Sequence, residues 1–281
     1  MLLYQAIILA VIQGLTEFLP VSSTAHLILF PWLLGWPDGG LVFDVALHIG
    51  TLAAVIIYFL RDWLELALAG LGFRYPRHAG DEAIRHNARM FWYLVAGTVP
   101  AALAGFFFEH IIEDKLRHPI PIAAALILVG LLMGWADYAA RLERRMDQLR
   151  FSDAIVVGTA QAFALFPGVS RSGITIIAGL WQGMNRQTAA RFSFLLSTPI
   201  IAGAAAKEMP KLIKLHRAGL LGMPLSTVAI SIAVSAIVGY FVIAFFLRYL
   251  QTSTLKIFVY YRIALGIVIL LLVFLQMAHA R

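Results

Sequence analysis

The sequence predicts an all-α polytopic membrane protein, with about six transmembrane helices and two re-entrant helical hairpins arranged as inverted-topology repeats. Three observations carry this. Of 281 residues, 61% are hydrophobic and 13% charged, where a soluble domain carries about a quarter charged residues, and the mean hydropathy is +0.84. Apolar runs such as "ILVGLLMG" and "SAIVGYFVIAFFL" are apolar on every side, whereas barrel strands would alternate over about 10 residues. Two regions resemble each other at a nearly constant offset, as duplicated halves of a membrane protein do.

In chain order, region 1–36 is apolar but interrupted by "QGLTEFLPVSSTAH" at 13–26, with Pro20 near its middle. A broken helix frees backbone N–H and C=O groups that lipid cannot satisfy, so it persists only inside protein or beside water. This region is therefore read as a re-entrant hairpin. The runs 41–60, 90–108 and 120–140 are each long enough to span a hydrocarbon core of about 30 Å. A charged linker, "RLERRMDQLR", follows at 141–150. Region 152–183, broken at Pro167 and Gly168, is the second hairpin, and runs 187–206, 225–247 and 257–277 complete the spans.

Setting "IQGLTEFLPVSSTAHLI" over "AQAFALFPGVSRSGITI" aligns Gln13 with Gln161, Phe18 with Phe166, Val21 with Val169 and Ser22 with Ser170, an offset of 148. Phe43 over Phe192 follows at 149. The chain reads as one integral membrane domain, 1–281, with repeat halves of approximately 1–140 and 150–281. Arg61, Arg74, Arg77, Arg85 and Arg89, and in the linker Arg141, Arg144, Arg145 and Arg150, put 61–89 and 141–150 in the cytoplasm by the positive-inside rule. Segment 109–118, with Glu109, Glu113 and Asp114 against Lys115 and Arg117, then lies outside. Three spans are an odd number, so the second half enters inverted, bringing both breaks toward the midplane. "KEMPKLIKLHR" runs against this, being external yet basic through Lys207, Lys211, Lys214 and Arg217.

The net charge of +7 sits in short clusters between apolar runs, as expected of loops facing anionic headgroups; nucleic acid is not an expected partner. The absence of cysteine excludes disulfides and thiolate chemistry. With no basic n-region or small-residue cleavage site ahead of the first polar stretch, insertion is expected to follow from the helices themselves.

Pooling the two breaks assembles a site. The first supplies Gln13, Thr16, Glu17, Ser22, Ser23, Thr24 and His26; the second supplies Ser170, Arg171, Ser172 and Thr175, with Gly168 and Gly173 beside them. Glycines, hydroxyls, backbone amides and a guanidinium fork are what a phosphate needs. Gln13 and Glu17 share a helix face at i, i+4, and a carboxylate with an amide oxygen suits a hard divalent cation such as Mg²⁺. Ser23 and His26, three apart, are spaced for a hydroxyl nucleophile and its base.

Singly, each group has a plainer reading. A membrane Ser or Thr bonds a neighbouring helix or its own backbone, Gln13 is an interhelical clamp, and Glu17 with Arg171 is a structural ion pair. An Arg at a membrane centre, however, costs about 2.5–3.5 kcal/mol and marks function by default. Elsewhere, Asp44 and His48 read as interfacial and solvated, while Asp137, Arg248 and Arg262 read as snorkelling side chains near span ends. His78, His86, His110, His118 and His216 read as solvated loop residues.

The segments "QGLTEFLPVSSTAH" and "PGVSRSGIT" resemble the two signature segments of the undecaprenyl-diphosphatase family of bacitracin-resistance membrane proteins, and the resemblance extends over nearly the whole chain. It implies hydrolysis of undecaprenyl diphosphate to the monophosphate, recycling the lipid carrier for peptidoglycan. It also implies inverted repeats, a divalent cation (Mg²⁺ or Ca²⁺) and a multi-pass place in the bacterial plasma (inner) membrane, with the site open to the periplasmic side. The implied partners are the lipid substrate and membrane lipids; the oligomeric state is left open, a homodimer being one option. By position, Glu17 falls on the essential acidic residue and Gln13 on its E/Q partner, the two metal ligands. Ser23 and His26 fall on the catalytic hydroxyl and imidazole. Arg171, Ser170 and Thr175 fall on the diphosphate-binding segment, with Ser22, Thr24, Gly168 and Ser172 as further substrate-binding residues. Many members carry Glu where this chain has Gln13, leaving one fewer negative charge here.

Three rivals share some of these features. A lipid-carrier flippase or anion transporter would use the same inverted repeats. An intramembrane serine protease would have no need of Arg171. The other large class of membrane lipid phosphatases places a histidine at fixed spacing after its S-R pair, and none stands there after Arg171.

Overall fold

The computed structural model describes residues 1–37, 39–73, 80–218 and 222–279, without the side chains of 41, 109–115, 216 and 277–279. Arg74, Arg77 and His78 lie outside the described residues, as do the side chains of Glu109, His110, Glu113, Asp114, Lys115 and His216. Among the described residues every element is a helix. The first hairpin is α1 (Leu3–Thr16) and α2 (Ser23–Leu34). At 1.5 Å per residue these reach about 21 and 18 Å, so neither crosses the core alone. Then come α3 (Gly40–Tyr58), α4 (Leu60–Gly70), α5 (Asp81–Leu116) and α6 (Pro119–Ala139). The second hairpin is α7 (Phe151–Ala162), a 3₁₀ turn at Phe163–Leu165 and α8 (Arg171–Trp181). The spans α9 (Arg186–Arg217), α10 (Leu225–Tyr249) and α11 (Lys256–His279) follow. Five helices are long and apolar enough to cross a membrane, and six when α3 is taken with α4. A helix lies over each of the six expected spans, the first of them as part of the bent pair α3–α4, and two short helices lie over each expected hairpin.

The sequence reading ended its first span at 60 and followed it with a loop. The chain instead bends by 77° at Phe59 and continues as α4, whose Arg61, Asp62 and Glu65 on an apolar helix suit the membrane interface. The long helices also overrun the apolar stretches. "KEMPKLIKLHR" is the end of α9 rather than a loop, and Lys211 Nζ lies 2.7 Å from the buried Glu208 carboxylate.

Packing is paired across the halves. α1 packs on α10 as α7 packs on α5, and glycines permit both crossings. A Cβ on Gly14 would lie 2.7 Å from Val238 Cβ, and one on Gly158 only 2.0 Å from Gly97 O. α6 and α11 run antiparallel: Leu255 N–H, just before α11, donates to Asp137 Oδ2 near the end of α6 at 3.1 Å, while Gly266 abuts Ala123. Asp62, past the end of α3, pairs with Arg191 at the start of α9.

Two of the three side chains read as snorkelling are inside. Asp137 is buried and also pairs with Arg186; Arg262 is 0% exposed. Only Arg248 is exposed as expected. Asp44 is likewise buried rather than solvated, paired with Arg117 at 3.0 Å. An aromatic chain, Phe18 against Phe194 and Phe194 against Phe246, ties the first break to α9 and α10.

Candidate active site

Both breaks are built on the same joint. Ser22 and Ser170 are N-caps of α2 and α8, with φ of 74° and 70°. Ser22 Oγ accepts the Ala25 N–H at 3.4 Å and Ser170 Oγ the Gly173 N–H at 3.1 Å. A positive φ in a residue with a Cβ costs of order 1–3 kcal/mol and persists only where the surroundings over-determine it.

Here Arg262 does much of that work. Its guanidinium donates to Pro20 O at 3.0 Å in the first break, and to Gly168 O at 2.8 Å and Val169 O at 3.1 Å in the second. These are carbonyls that broken helices leave free and lipid cannot satisfy. Ser172 Oγ adds a second tie, donating to Leu19 O at 3.1 Å. Sequence reasoning missed Arg262 by placing it near a span end, although it falls five residues inside the expected start at 257 and six beyond Lys256, where α11 begins.

Between the breaks lies a small polar cavity of about 30 Å³, lined by Glu17, Ser22, Ser23 and Thr24 from the first and Ala164, Phe166, Ser170 and Arg171 from the second. The N-termini of α2 and α8 both reach it, offering partial positive charge and free amides to an anion. A cavity of this size holds a water; a diphosphate needs more room, so Arg171 or the loops must move to admit one.

Glu17, 7% exposed, is the hub. Ser23 Oγ donates to its Oε2 at 2.6 Å, Gln13 Nε2 donates to Oε2 at 3.0 Å, and Arg171 Nη1 lies 3.6 Å from Oε1. His48 Nε2 lies 3.3 Å from Oε2, so His48 belongs to the site and not to the interface. Its signal was its depth, eight residues into α3.

The structure separates Ser23 from the base expected for it. His26 Nδ1 lies 2.7 Å from Ser22 O and its Nε2 2.6 Å from the Tyr261 hydroxyl. The i, i+4 geometry of α2 turns the ring onto Ser22 O and toward α11, while Glu17 takes the Ser23 hydroxyl. Gly168, Ser172 and Thr175 stand outside the cavity lining. A Cβ on Gly168 would meet Ile122 O at 2.6 Å. Thr175 Oγ1 donates to Arg171 O at 2.7 Å and meets Ser193 Oγ at 2.6 Å. Thr16 Oγ1 donates to its own helix at Ile12 O. The breaks share a frame but not their chemistry: Leu165 stands 148 positions after Glu17, and Arg171 148 after Ser23.

Among the described residues no three His, Asp or Glu side chains converge on a point that could hold a metal. Gln13 Oε1 is, however, buried without a hydrogen-bond partner, one helical turn from the Glu17 carboxylate. Two oxygen donors beside an anion-binding cavity fit a hard cation that completes its shell with water and phosphate oxygens.

The sequence pattern of the family described as Bacitracin resistance protein BacA matches residues 6–268. The chain is 48% identical over 276 residues to the undecaprenyl-diphosphatase of Moorella thermoacetica, covering 98% of this chain and 100% of that one. It is 48% identical over 274 residues to that of Geobacter metallireducens (96% and 98%) and 44% identical over 274 residues to that of Desulforudis audaxviator (97% and 98%).

Proposed function

Because the chain belongs to the Bacitracin resistance protein BacA family, we propose that it removes the terminal phosphate of undecaprenyl diphosphate. This returns the monophosphate carrier to peptidoglycan synthesis and confers bacitracin resistance. One observation carries the reading: Glu17 and Ser23 of one break and Arg171 of the other meet around one carboxylate, 148 positions apart from Ser23 to Arg171. A protease or a simple structural ion pair gives no reason for two helix N-termini to face the same cavity.

In this reading the Arg171 fork leaves Glu17 to grip the diphosphate, helped by the Ser22, Thr24 and Ser170 hydroxyls and the amides opening α2 and α8. A divalent cation, Mg²⁺ or Ca²⁺, held by Glu17 and Gln13 would offset the charge of the phosphates. The nucleophile is Ser23 Oγ or a water beside it. Its proton passes to Glu17 Oε2, 2.6 Å from the Ser23 oxygen. The bond from the terminal phosphorus to the bridging oxygen breaks, and the prenyl monophosphate leaves. Attack by water gives inorganic phosphate directly, whereas a phosphoryl group taken by Ser23 Oγ is released by a second water, with Glu17 returning the proton to Ser23 Oγ. His26, held between Ser22 O and Tyr261, fixes the turn carrying Ser23; Gly168, Ser172 and Thr175 fix the second break.

The halves 1–140 and 150–281 are inverted repeats in this reading, supported by the matching caps at Ser22 and Ser170 and the matching α1–α10 and α7–α5 packing. The chain lies in the bacterial plasma (inner) membrane, its basic linker cytoplasmic, its site open to the periplasmic side, with membrane lipids around it. The test is phosphate release from undecaprenyl diphosphate by the purified protein, with Mg²⁺ or Ca²⁺ and with chelator. Release that chelation abolishes is expected. No release with any cation would turn the reading to a lipid-carrier transporter on the same fold.

A further inference from the structure

We propose that a cavity at the linker end of the molecule, between the α3–α4 bend, α9 and α10, binds the headgroup of an anionic glycerophospholipid through Arg191 and Arg248. That end is cytoplasmic in the reading above. Binding requires only that the chain sits in a bilayer, whether or not it is a phosphatase.

The cavity, of about 360 Å³, opens beside the bend at Phe59. Its polar wall is Tyr58 of α3, Asp62 of α4, Gln187 and Arg191 of early α9, and Arg248 and Gln251 at the end of α10. None of these lines the diphosphate cavity. At about 30 Å³ per water, the space holds about twelve waters, enough for the roughly ten non-hydrogen atoms of a phosphoglycerol group.

Charge selects the ligand. Asp62 pairs with Arg191, whose guanidinium also lies over the Phe59 ring, 5.5 Å from its centroid. Arg248 is exposed, and among the described residues its guanidinium has no hydrogen-bond or ion-pair partner. Two guanidiniums therefore face one carboxylate, with one positive charge in excess. The macrodipole accounts for a cation at the end of α10. It gives no support to Arg191 near the start of α9, directed at the same cavity. A phosphate oxygen pair suits both forks.

The surface beside the cavity makes that phosphate a lipid's. The cavity face of α10, Ala244, Leu247 and Arg248, continues in steps of three and four residues through Phe241, Tyr240 and Ile237. All three are exposed, as is Ile57 of α3. Tyr240 packs edge-on against Tyr58 at 5.5 Å, closing the seam between α10 and α3. At 1.5 Å per residue Phe241 stands about 10 Å along α10 from Arg248. An acyl chain lies on this apolar strip while its phosphate reaches the guanidiniums, as in other basic pockets between membrane helices. A free phosphate gains nothing from the strip. A zwitterionic headgroup would bring its own ammonium toward the excess positive charge. Phosphatidylglycerol brings none, and its hydroxyls match the amides of Gln187 and Gln251.

The test is native mass spectrometry of the purified full-length protein in detergent, following the first lipid bound. The probes are dioleoyl phosphatidylglycerol, dioleoyl phosphatidylcholine and inorganic phosphate. Phosphatidylglycerol is expected to bind in preference to phosphatidylcholine, and an equal concentration of inorganic phosphate is expected not to displace it. Arg248→Gln should weaken phosphatidylglycerol binding about 5-fold, the worth of one basic side chain near an anionic surface, while Arg248→Lys keeps most of it. Gln251→Glu, which adds a carboxylate to the same wall at an exposed position, should weaken it similarly. Arg145→Gln, exposed in the linker and outside the cavity, should leave it unchanged. Equal binding of the two lipids would overturn the proposal in favour of a water-filled notch. Equal losses in Arg145→Gln and Arg248→Gln would overturn it in favour of a general basic surface, and displacement by inorganic phosphate in favour of a free-anion site.

Discussion

Arg171 and Glu17 stabilise each other at 3.6 Å, which explains how both can sit in a membrane, yet an ion pair alone would accept Lys in place of Arg. A diphosphate would not, because only the guanidinium offers a planar fork. Arg171→Lys is expected to lower kcat/KM about 10²–10³-fold, the loss typical of a removed transition-state donor, with thermal stability nearly unchanged. A lysine variant with full phosphate release would remove the clamp role. Glu17→Gln is expected to abolish release, with excess Mg²⁺ giving no rescue, whereas Gln13→Glu should keep it and lower the cation concentration required. The reverse pattern in cation titrations would exchange the two assignments. These residues were legible in the sequence because charge in lipid demands a reason. His48 and Arg262 were not, because a reading by distance from span ends carries an error of several residues at each boundary. Nor could the spacing of Ser23 and His26 show which neighbour each side chain turns to.

At the scale of elements, the two strained serine caps and the two glycine crossings are what hold the broken helices together. Ser170→Ala loses the bond to Gly173 N–H and keeps a Cβ at φ 70°, while Ser170→Gly loses the bond but relieves the backbone. Thermal melting is therefore expected to rank Ser above Gly above Ala, with Ala down about 0.5–2 kcal/mol; an alanine variant as stable as the wild type would contradict the joint. Gly158→Ala forces a Cβ against Gly97 O and should cost about 1–3 kcal/mol or prevent folding. Gly203→Ala, with nothing within 4 Å in α9, should be neutral or gain up to about 1 kcal/mol from helix propensity. Equal melting temperatures for the two would contradict the close α5–α7 crossing. The hairpins were legible because polar residues and prolines interrupt apolar runs. The bend at Phe59 was not, since the apolar pattern runs straight through it, and the ends of α5 and α9 were not, since hydropathy is silent on helix outside the membrane.

For the whole molecule, the duplicated pattern pointed to breaks that approach one another, but a low-identity repeat does not say which groups meet. The tie through Arg262 and the divided roles of the two breaks, carboxylate in one and guanidinium in the other, come from the three-dimensional arrangement. The central claim is that both breaks form one diphosphate site. Its most direct measurement uses the natural absence of cysteine: Ser23→Cys with Ser170→Cys, treated with a short bifunctional thiol reagent in membranes and then cleaved at the exposed Arg145 in the linker. A direct disulfide would need Cα atoms within about 7 Å, so the bifunctional reagent is the fairer probe. The account expects the two halves to remain joined, and undecaprenyl diphosphate to slow the joining by occupying the cavity. Halves that separate fully after cleavage, with both cysteines reacted singly, would contradict it.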